Sequence, residues 1–422
     1  MLKIFANALL SFILLSSAFF VSGQSYFQQE VDYVIEVSLN DETHTLDGKL
    51  TLTYTNNSPN TLNEIYFHLW PNAYKNTETA LAKQFLENGE IDFHYATESA
   101  RGFITNLDFK SKGVALKLEP DPKHIDIARL VLNSPLRPGE SITMNTPFMV
   151  KIPDGQFSRL GHEEQAYQVT QWYPKPAVYD KDGWHAMPYL NQGEFYSEFG
   201  SFDVTITLPK NYVVGATGDL QTKSEIEWMN KRALLTSRTK EFDLNDLSFP
   251  ESSKEQKTIR FTQKNVHDFA WFADKRFHVL KDTIKLPHSG REVTTWALFT
   301  NLEANLWTRA NEYINNGIYY YSLWNGDYPY NQMTAVESAL SAGAGMEYPN
   351  ITVIGESTTP FFLEVVIVHE VGHNWFYGIL GSNERDHPWM DEGINTYNEI
   401  RYIELKHPNS GLLGLNEASI LS

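Results

Sequence analysis

Two histidines and two glutamates at fixed spacing set the chemistry open to this chain. His369-Glu370-Val371-Gly372-His373 places imidazoles four residues apart, and Glu392 follows nineteen residues beyond the second. The spacing predicts a helix over 363–378 with His369 and His373 on one face, one turn apart. Both rings then reach a single cation, and tetrahedral zinc with nitrogen and oxygen ligands suits the set. Glu370, beside the first ligand, is placed to act as general base on a zinc-bound water. Glu392, in Trp389-Met390-Asp391-Glu392-Gly393, supplies the third ligand from a separate element. Three protein ligands leave one position open for water, which marks a catalytic rather than a structural site. The competing reading is two ordinary histidines on a half-buried helix.

Three further stretches bear on the same chemistry. Gly343, Ala344, Gly345 and Met346 precede Glu347 in a glycine-dense run that ends at Asn350. Such density lets another backbone approach closely, as when an extended peptide lies along a sheet edge. Glu347 is then placed for the ammonium of a free N-terminus, unless it is merely an exposed residue of a glycine-rich turn. Glu399 stands two helical turns after Glu392 and either supports a ligand from behind or faces solvent. Gln171, in Tyr167-Gln168-Val169-Thr170-Gln171-Trp172-Tyr173-Pro174, is an amide in an aromatic setting. It either hydrogen-bonds a substrate or closes its own loop. His68 and His185 read as structural.

The elements that must hold these residues fall into two halves. From Tyr33 the chain alternates, with Tyr33, Ile35, Val37 and Leu39 on one face. Leu50, Leu52 and Tyr54 repeat the pattern after a turn expected at Asp47-Gly48. Further strand-like runs (65–70, 130–132, 148–152, 202–208, 212–216) make residues 24–280 an antiparallel β domain. Beyond it, 281–422 reads as the catalytic domain. It begins with a strand over 293–299 and a long helix over 301–324, followed by strands at 332–336 and 351–354. The zinc helix comes next, and a last helix opens at Asp391 or its neighbour and ends at Lys406-His407-Pro408.

Composition narrows the class. The formal net charge of −18 argues against nucleic acid and against anionic membrane surfaces. There is no cysteine, hence no disulfide and no lipid-attachment site. Met1–Gly23 has a positive start, an apolar run and a small-residue end, the pattern of a signal peptide. The expectation is an exported protein, periplasmic or secreted, with no stable membrane association once that segment is cleaved.

On these residues the chain resembles the M1 family of zinc metallopeptidases, gluzincins with the HExxH-x18-E motif. His369, Glu370, His373 and Glu392 stand at the family spacing. Gly345-Met346-Glu347 matches most of the family's Gly-x-Met-Glu-Asn motif, and Glu392-Gly393 with Tyr397 and Glu399 matches the helix after the third ligand. The resemblance is specific over 343–399 and diffuse upstream. It implies a saddle-shaped β domain, then a thermolysin-like α+β domain, and zinc-dependent removal of N-terminal residues from peptides. It further implies one zinc held by His369, His373 and Glu392, with Glu370 as base and Glu347 as amine anchor. Gly343–Met346 would give backbone contacts, and Gln171 would lie near the first side-chain pocket. Departures are Tyr348 at the motif's final Asn, and Tyr173 where an acidic or amide residue is expected. The family's oxyanion-stabilising tyrosine lies well downstream of the third ligand; Tyr397 and Tyr402 fall too close to it. With the sequence ending at Ser422, the expectation is a representative truncated within its catalytic domain. The alternative function is a non-catalytic or endo-acting zinc-binding protein that binds peptides.

Overall fold

A computed structural model describes residues 26–338 and 344–408. The expected signal segment Met1–Gly23, and Gly343 of the glycine-dense run, lie outside the described residues.

The site is carried by a five-stranded sheet and three helices. The strands are β1 (His278–Lys285), β2 (Glu292–Phe299), β3 (Gln332–Glu337), β4 (Gly345–Tyr348) and β5 (Ile351–Ile354), in the order β1-β2-β3-β5-β4. β2, β3 and β5 run parallel to one another, and β4 returns antiparallel to β5 as the edge strand. β3 is buried along its whole length, with its polar end residues Gln332 and Glu337 hydrogen-bonded to Asn350 and to the Glu303 N–H. The helices are α1 (Ala310–Asn325), α2 (Pro360–Gly372) and α3 (Glu392–Lys406). α2 packs against α1, α3, β4 and β5. Its Leu363, Ile367, Val368 and Val371 are fully buried, so it is a core helix and not a surface one.

Local chemistry sets the ends of α2. Thr359 caps its start, the hydroxyl accepting from the Phe362 N–H at 3.1 Å, and Pro360 takes the first helical position. The helix stops at Gly372, short of the expected 378, because Asn374 turns its side-chain amide back onto the Val371 carbonyl at 2.9 Å. His373 keeps helical backbone angles as the last cap residue, so the one-turn relation to His369 survives. The long helix expected over 301–324 is broken. A short piece at Ala304–Trp307 precedes α1, and Thr308 and Arg309 lie between.

Upstream, the chain forms sheets of nine, four and four strands and a two-stranded ribbon. Strand Glu30–Asn40 buries Val31, Tyr33, Ile35, Val37 and Leu39 and exposes alternate residues. Two expectations fail here. Asp47-Gly48 is no turn; the reversal is at residues 41–44, and Gly48 lies within strand Thr45–Thr55. The glycine serves packing, since a Cβ there would lie 2.2 Å from the Phe148 ring. The nine-stranded sheet is also not wholly antiparallel, because Glu30–Asn40 pairs parallel with Gly200–Pro209. The overall class stands: a sheet-rich N-terminal part followed by an α+β part that carries the candidate ligands. One apolar core joins them. Gly215 sits so close to Leu298 of β2 and Ile351 of β5 that a Cβ would meet them at 2.7 and 3.2 Å.

Candidate active site

α2 delivers His369 and His373, and the first residue of α3 is Glu392. The two histidine Nε2 atoms lie 3.1 Å apart, and Glu392 Oε2 lies 3.3 Å from the first and 3.8 Å from the second. Zinc–ligand distances of about 2.0–2.1 Å put tetrahedral ligand atoms about 3.3 Å apart. The donor triangle therefore has the size, and the nitrogen and oxygen chemistry, that zinc takes.

Each ring is fixed from behind. His369 Nδ1 is 2.7 Å from Glu399 Oε2, and His373 Nδ1 is 2.5 Å from Asp391 Oδ1. A carboxylate at Nδ1 keeps a proton there and turns the Nε2 lone pair toward the shared point. Glu399 is thus at His369's back and not in solvent. Asn395 adds a second tie, donating to the His369 carbonyl at 2.8 Å. Burial opposes charge on His369, yet its hydrogen bonds to Glu392 and Glu399 outweigh that and push the ring up to about 11, so a metal binding at Nε2 displaces a proton. The hydrogen bond from His369 in turn holds Glu392 below the usual carboxylate range.

Glu370 points between α2 and the edge of the sheet. A Cβ on Gly345 would stand 2.4 Å from its Oε1, so only glycine lets β4 come this close. Glu370 Oε2 lies 3.5 Å from the Thr352 hydroxyl, which itself donates to the Met346 carbonyl at 3.0 Å. Burial pushes the Glu370 carboxyl up to about 7, against the pull of His369 and His373. A base near neutrality is the form that proton transfer favours.

β4 places the next group. Glu347 is buried, and one of its oxygens lies within 4.8 Å of donor atoms on both Glu370 and His373. Its Oε1 has no hydrogen-bond partner among the described residues. The exposed-turn alternative for Glu347 is therefore set aside. The Ala344 carbonyl is taken by Gly355 N–H at 2.8 Å, and the Met346 thioether accepts from Arg159 Nε at 3.1 Å.

Gln171 is not brought to this group. It is buried at φ +47°, and its amide nitrogen lies 3.4 Å from Asp268 Oδ2. Tyr173 and Lys175 bond the same carboxylate at 2.8 and 2.9 Å, so the amide belongs to a buried network that ties its loop to Asp268. Tyr402 donates to Glu364 at 2.5 Å and Tyr397 is 66 % exposed, so neither hydroxyl serves the site. His68 and His185 join none of the metal-sized donor groups found among the described residues. Two further residues belong to this group. Asp391, which the sequence offers as a helix start, is signalled only by its place beside a ligand. Glu384 lies in a loop where no periodicity points to it; its carboxylate is buried with Glu347 and Asp391.

No protein-family model matches the chain, and no curated protein does. Solved structures do. The M1 zinc metallopeptidase from Deinococcus radiodurans superposes with a TM-score of 0.55 at 17% identity, over 90% of this chain and 71% of that one. The fold is that of the M1 zinc metallopeptidases. A mutant two-domain M1 zinc metallopeptidase bound to L-arginine gives a TM-score of 0.57 at 16% identity, covering 94% and 75%. A mutant of the D. radiodurans enzyme bound to a Tyr-Ser-Ala substrate gives 0.54 at 15% identity, covering 91% and 74%. In the M1 fold of this chain the donor triangle is built from α2 and the start of α3, with the edge strand β4 beside it.

Proposed function

We propose that this chain is an exported zinc-dependent aminopeptidase that removes N-terminal residues from peptides. The observation that carries the reading is the convergence of His369, His373 and Glu392 on one point, with Glu370 buried alongside. The solved M1 structures that hold an amino acid or a tripeptide support peptides as the ligand class. Met1–Gly23 supports export.

His369, His373 and Glu392 would hold one zinc ion. When bound, zinc supplies Lewis acidity and lowers the pKa of water at the site. The chain's own residues do the rest. Glu399 and Asp391 hold both imidazoles with Nε2 forward. The free edge of β4 aligns the peptide backbone, and Glu347 receives the α-ammonium. Glu370 accepts a proton from the attacking water and delivers it to the leaving amine nitrogen.

A second reading, a zinc-holding protein that binds peptides without cleaving them, is favoured by one observation. Neither Tyr397 nor Tyr402 offers its hydroxyl to the site. An oxyanion donor is worth about a hundred- to a thousand-fold in turnover. The experiment compares an alanyl anilide bearing a free amine with its N-acetylated form, each with and without a zinc chelator. Chelator-sensitive release from the free amine alone is expected. Silence on both, with zinc bound, sinks the aminopeptidase reading in favour of the second. In Glu370→Gln, turnover should fall by about a hundredfold or more with zinc content unchanged; parental turnover would remove Glu370 from the reaction.

A further inference from the structure

β4 is pinned to the end of α2 at two points. At one, Gly345 stands against Glu370. At the other, the two-residue turn Pro349-Asn350 joins β4 to β5, and the Asn350 N–H donates to Asn374 Oδ1 at 2.9 Å. Asn374 follows His373 directly and sends its own amide back to the Val371 carbonyl at 2.9 Å. Glu347 lies between the two points on β4, so together they set where it stands relative to His373.

The second point is held from several sides. Asn350 is fully buried at φ +50°. Its Oδ1 accepts from the Gly218 N–H at 2.6 Å and from Gln332 Nε2 at 2.7 Å, and its Nδ2 donates to Gln263 Oε1 at 3.1 Å. Its carbonyl accepts from Gln332 Nε2 at 3.0 Å and from the Thr334 N–H at 3.1 Å. Gly218 and Gln263 belong to the N-terminal part, and Gln332 and Thr334 to β3. A left-handed backbone is costly for most side chains and least so for glycine, asparagine and aspartate. A residue that keeps it while every polar group is tied to another segment is over-determined by its surroundings, a pattern that gathers at functional sites.

What the tie fixes follows from what stands on either side of it. A peptide aligned on β4 must present its first carbonyl to a metal held in part by His373, and strand and helix are separate elements. A shift of about 1 Å between them costs on the order of a hundredfold in rate.

We propose that Asn350 is a positioning residue: through Asn374, and through its ties to β3 and the N-terminal part, it holds the peptide edge β4 in register with the metal-binding end of α2. The proposal rests on the aminopeptidase reading for what β4 aligns, and goes beyond it in giving the register to a side chain outside the donor group.

The test uses two metal-binding probes on the full zinc-loaded chain. Acetohydroxamate reaches the metal alone, whereas alanine hydroxamate adds a free amine for Glu347. The ratio of their affinities, by titration calorimetry, reads how well the amine anchor and the metal are registered. In the parent, alanine hydroxamate should bind at least about tenfold more tightly. Asn350→Gly keeps the left-handed turn and the N–H to Asn374 but drops every side-chain tie. Its advantage for alanine hydroxamate should shrink about tenfold, with zinc content and acetohydroxamate affinity unchanged, and its kcat on the alanyl anilide should fall about a hundredfold. Asn350→Asp keeps the Oδ1 acceptor and tolerates the same backbone, and Gln263 can turn its amide nitrogen toward the new oxygen. It should stay within about threefold of the parent's ratio. Gln332→Leu removes the β3 tie without touching the turn; it should lose an intermediate share, and it decides the matter if the Gly variant does not fold. A lower unfolding temperature in these variants with the parent's ratio would make Asn350 merely structural and overturn the proposal. Equal losses for both hydroxamates overturn it too. A parent with no preference for alanine hydroxamate removes the amine anchor, and the proposal with it. A ratio that depends on Asn350 without chelator-sensitive cleavage of the free-amine anilide keeps the positioning role and removes the aminopeptidase reading. Cleavage with a ratio indifferent to Asn350→Gly and Gln332→Leu does the reverse.

Discussion

Each imidazole has two nitrogens, and at His369 and His373 the carboxylates of Glu399 and Asp391 decide which one faces the cleft. Glu399→Gln keeps an acceptor near Nδ1 but removes the charge. Zinc affinity should fall about 10- to 100-fold, read by competition with a chromogenic chelator. An affinity equal to the parent's would mean that Glu399 only fills space. Sequence spacing leads to Glu399 because it shares a helix with Glu392, and a helix repeats its face every turn. It leads to His369, Glu370 and His373 for the same reason. It does not lead to Glu384, since a loop has no period and a glutamate between Asn383 and Arg385 resembles any solvated one. Gln171 misleads for a related cause. Its aromatic neighbours mark a buried place, but only the fold reveals that Asp268, from a distant segment, occupies its amide.

At the scale of elements, the site depends on how closely α2 is approached, by β4 at Gly345 and by α1 and α3 at Gly372. A Cβ at 345 would meet Glu370 Oε1 at 2.4 Å, and a Cβ at 372 would meet Asn395 Oδ1 at 2.0 Å and the Tyr321 ring at 2.4 Å. Gly345→Ala should displace the Glu370 carboxylate while leaving the zinc donors alone. A misplacement of about 1 Å costs on the order of a hundredfold in rate. The variant should therefore bind zinc like the parent and turn over the alanyl anilide about a hundredfold more slowly; unchanged turnover would show that the base does not need its present place. The cap of α2 is a separate matter. Thr359→Ala removes the acceptor for Phe362 N–H and should lower unfolding stability by about 1 kcal/mol in urea titration. The long strands of the first half and their alternation are legible because one face of each meets the core. Helix ends are less so. α2 runs in an almost wholly apolar stretch whose stop is made by one side chain, Asn374, turning back on the chain.

For the whole molecule, burying acids far from the zinc donors gives stability a definite dependence on pH. Burial is the foremost cause in each case. It pushes Glu198 up to about 8, Glu337 to about 7 and Asp126 to about 6, from ordinary values of 4.5, 4.5 and 3.8. All three therefore bind their protons more tightly in the folded chain than in the unfolded one. Their contribution is fully present below about pH 4 and is lost as pH rises through the folded values, up to about pH 8. Within its window, from about 4.5 to about 8, Glu198 alone removes up to about 1.4 kcal/mol of stability per pH unit. The formal net charge of −18 acts in the same direction, because ionising acids adds to self-repulsion. Urea unfolding should thus show the chain more stable at pH 5 than at pH 8. Glu198→Gln should flatten that slope, since the amide keeps an acceptor for the Tyr179 N–H, now at 3.0 Å, and has no proton to lose. An undiminished slope in the variant would mean that Glu198 is already ionised in the fold at pH 5, and that backbone N–H donors outweigh burial there. In that case the loss of stability toward pH 8 would have to come from Glu337, Asp126 and the general acidity of the surface.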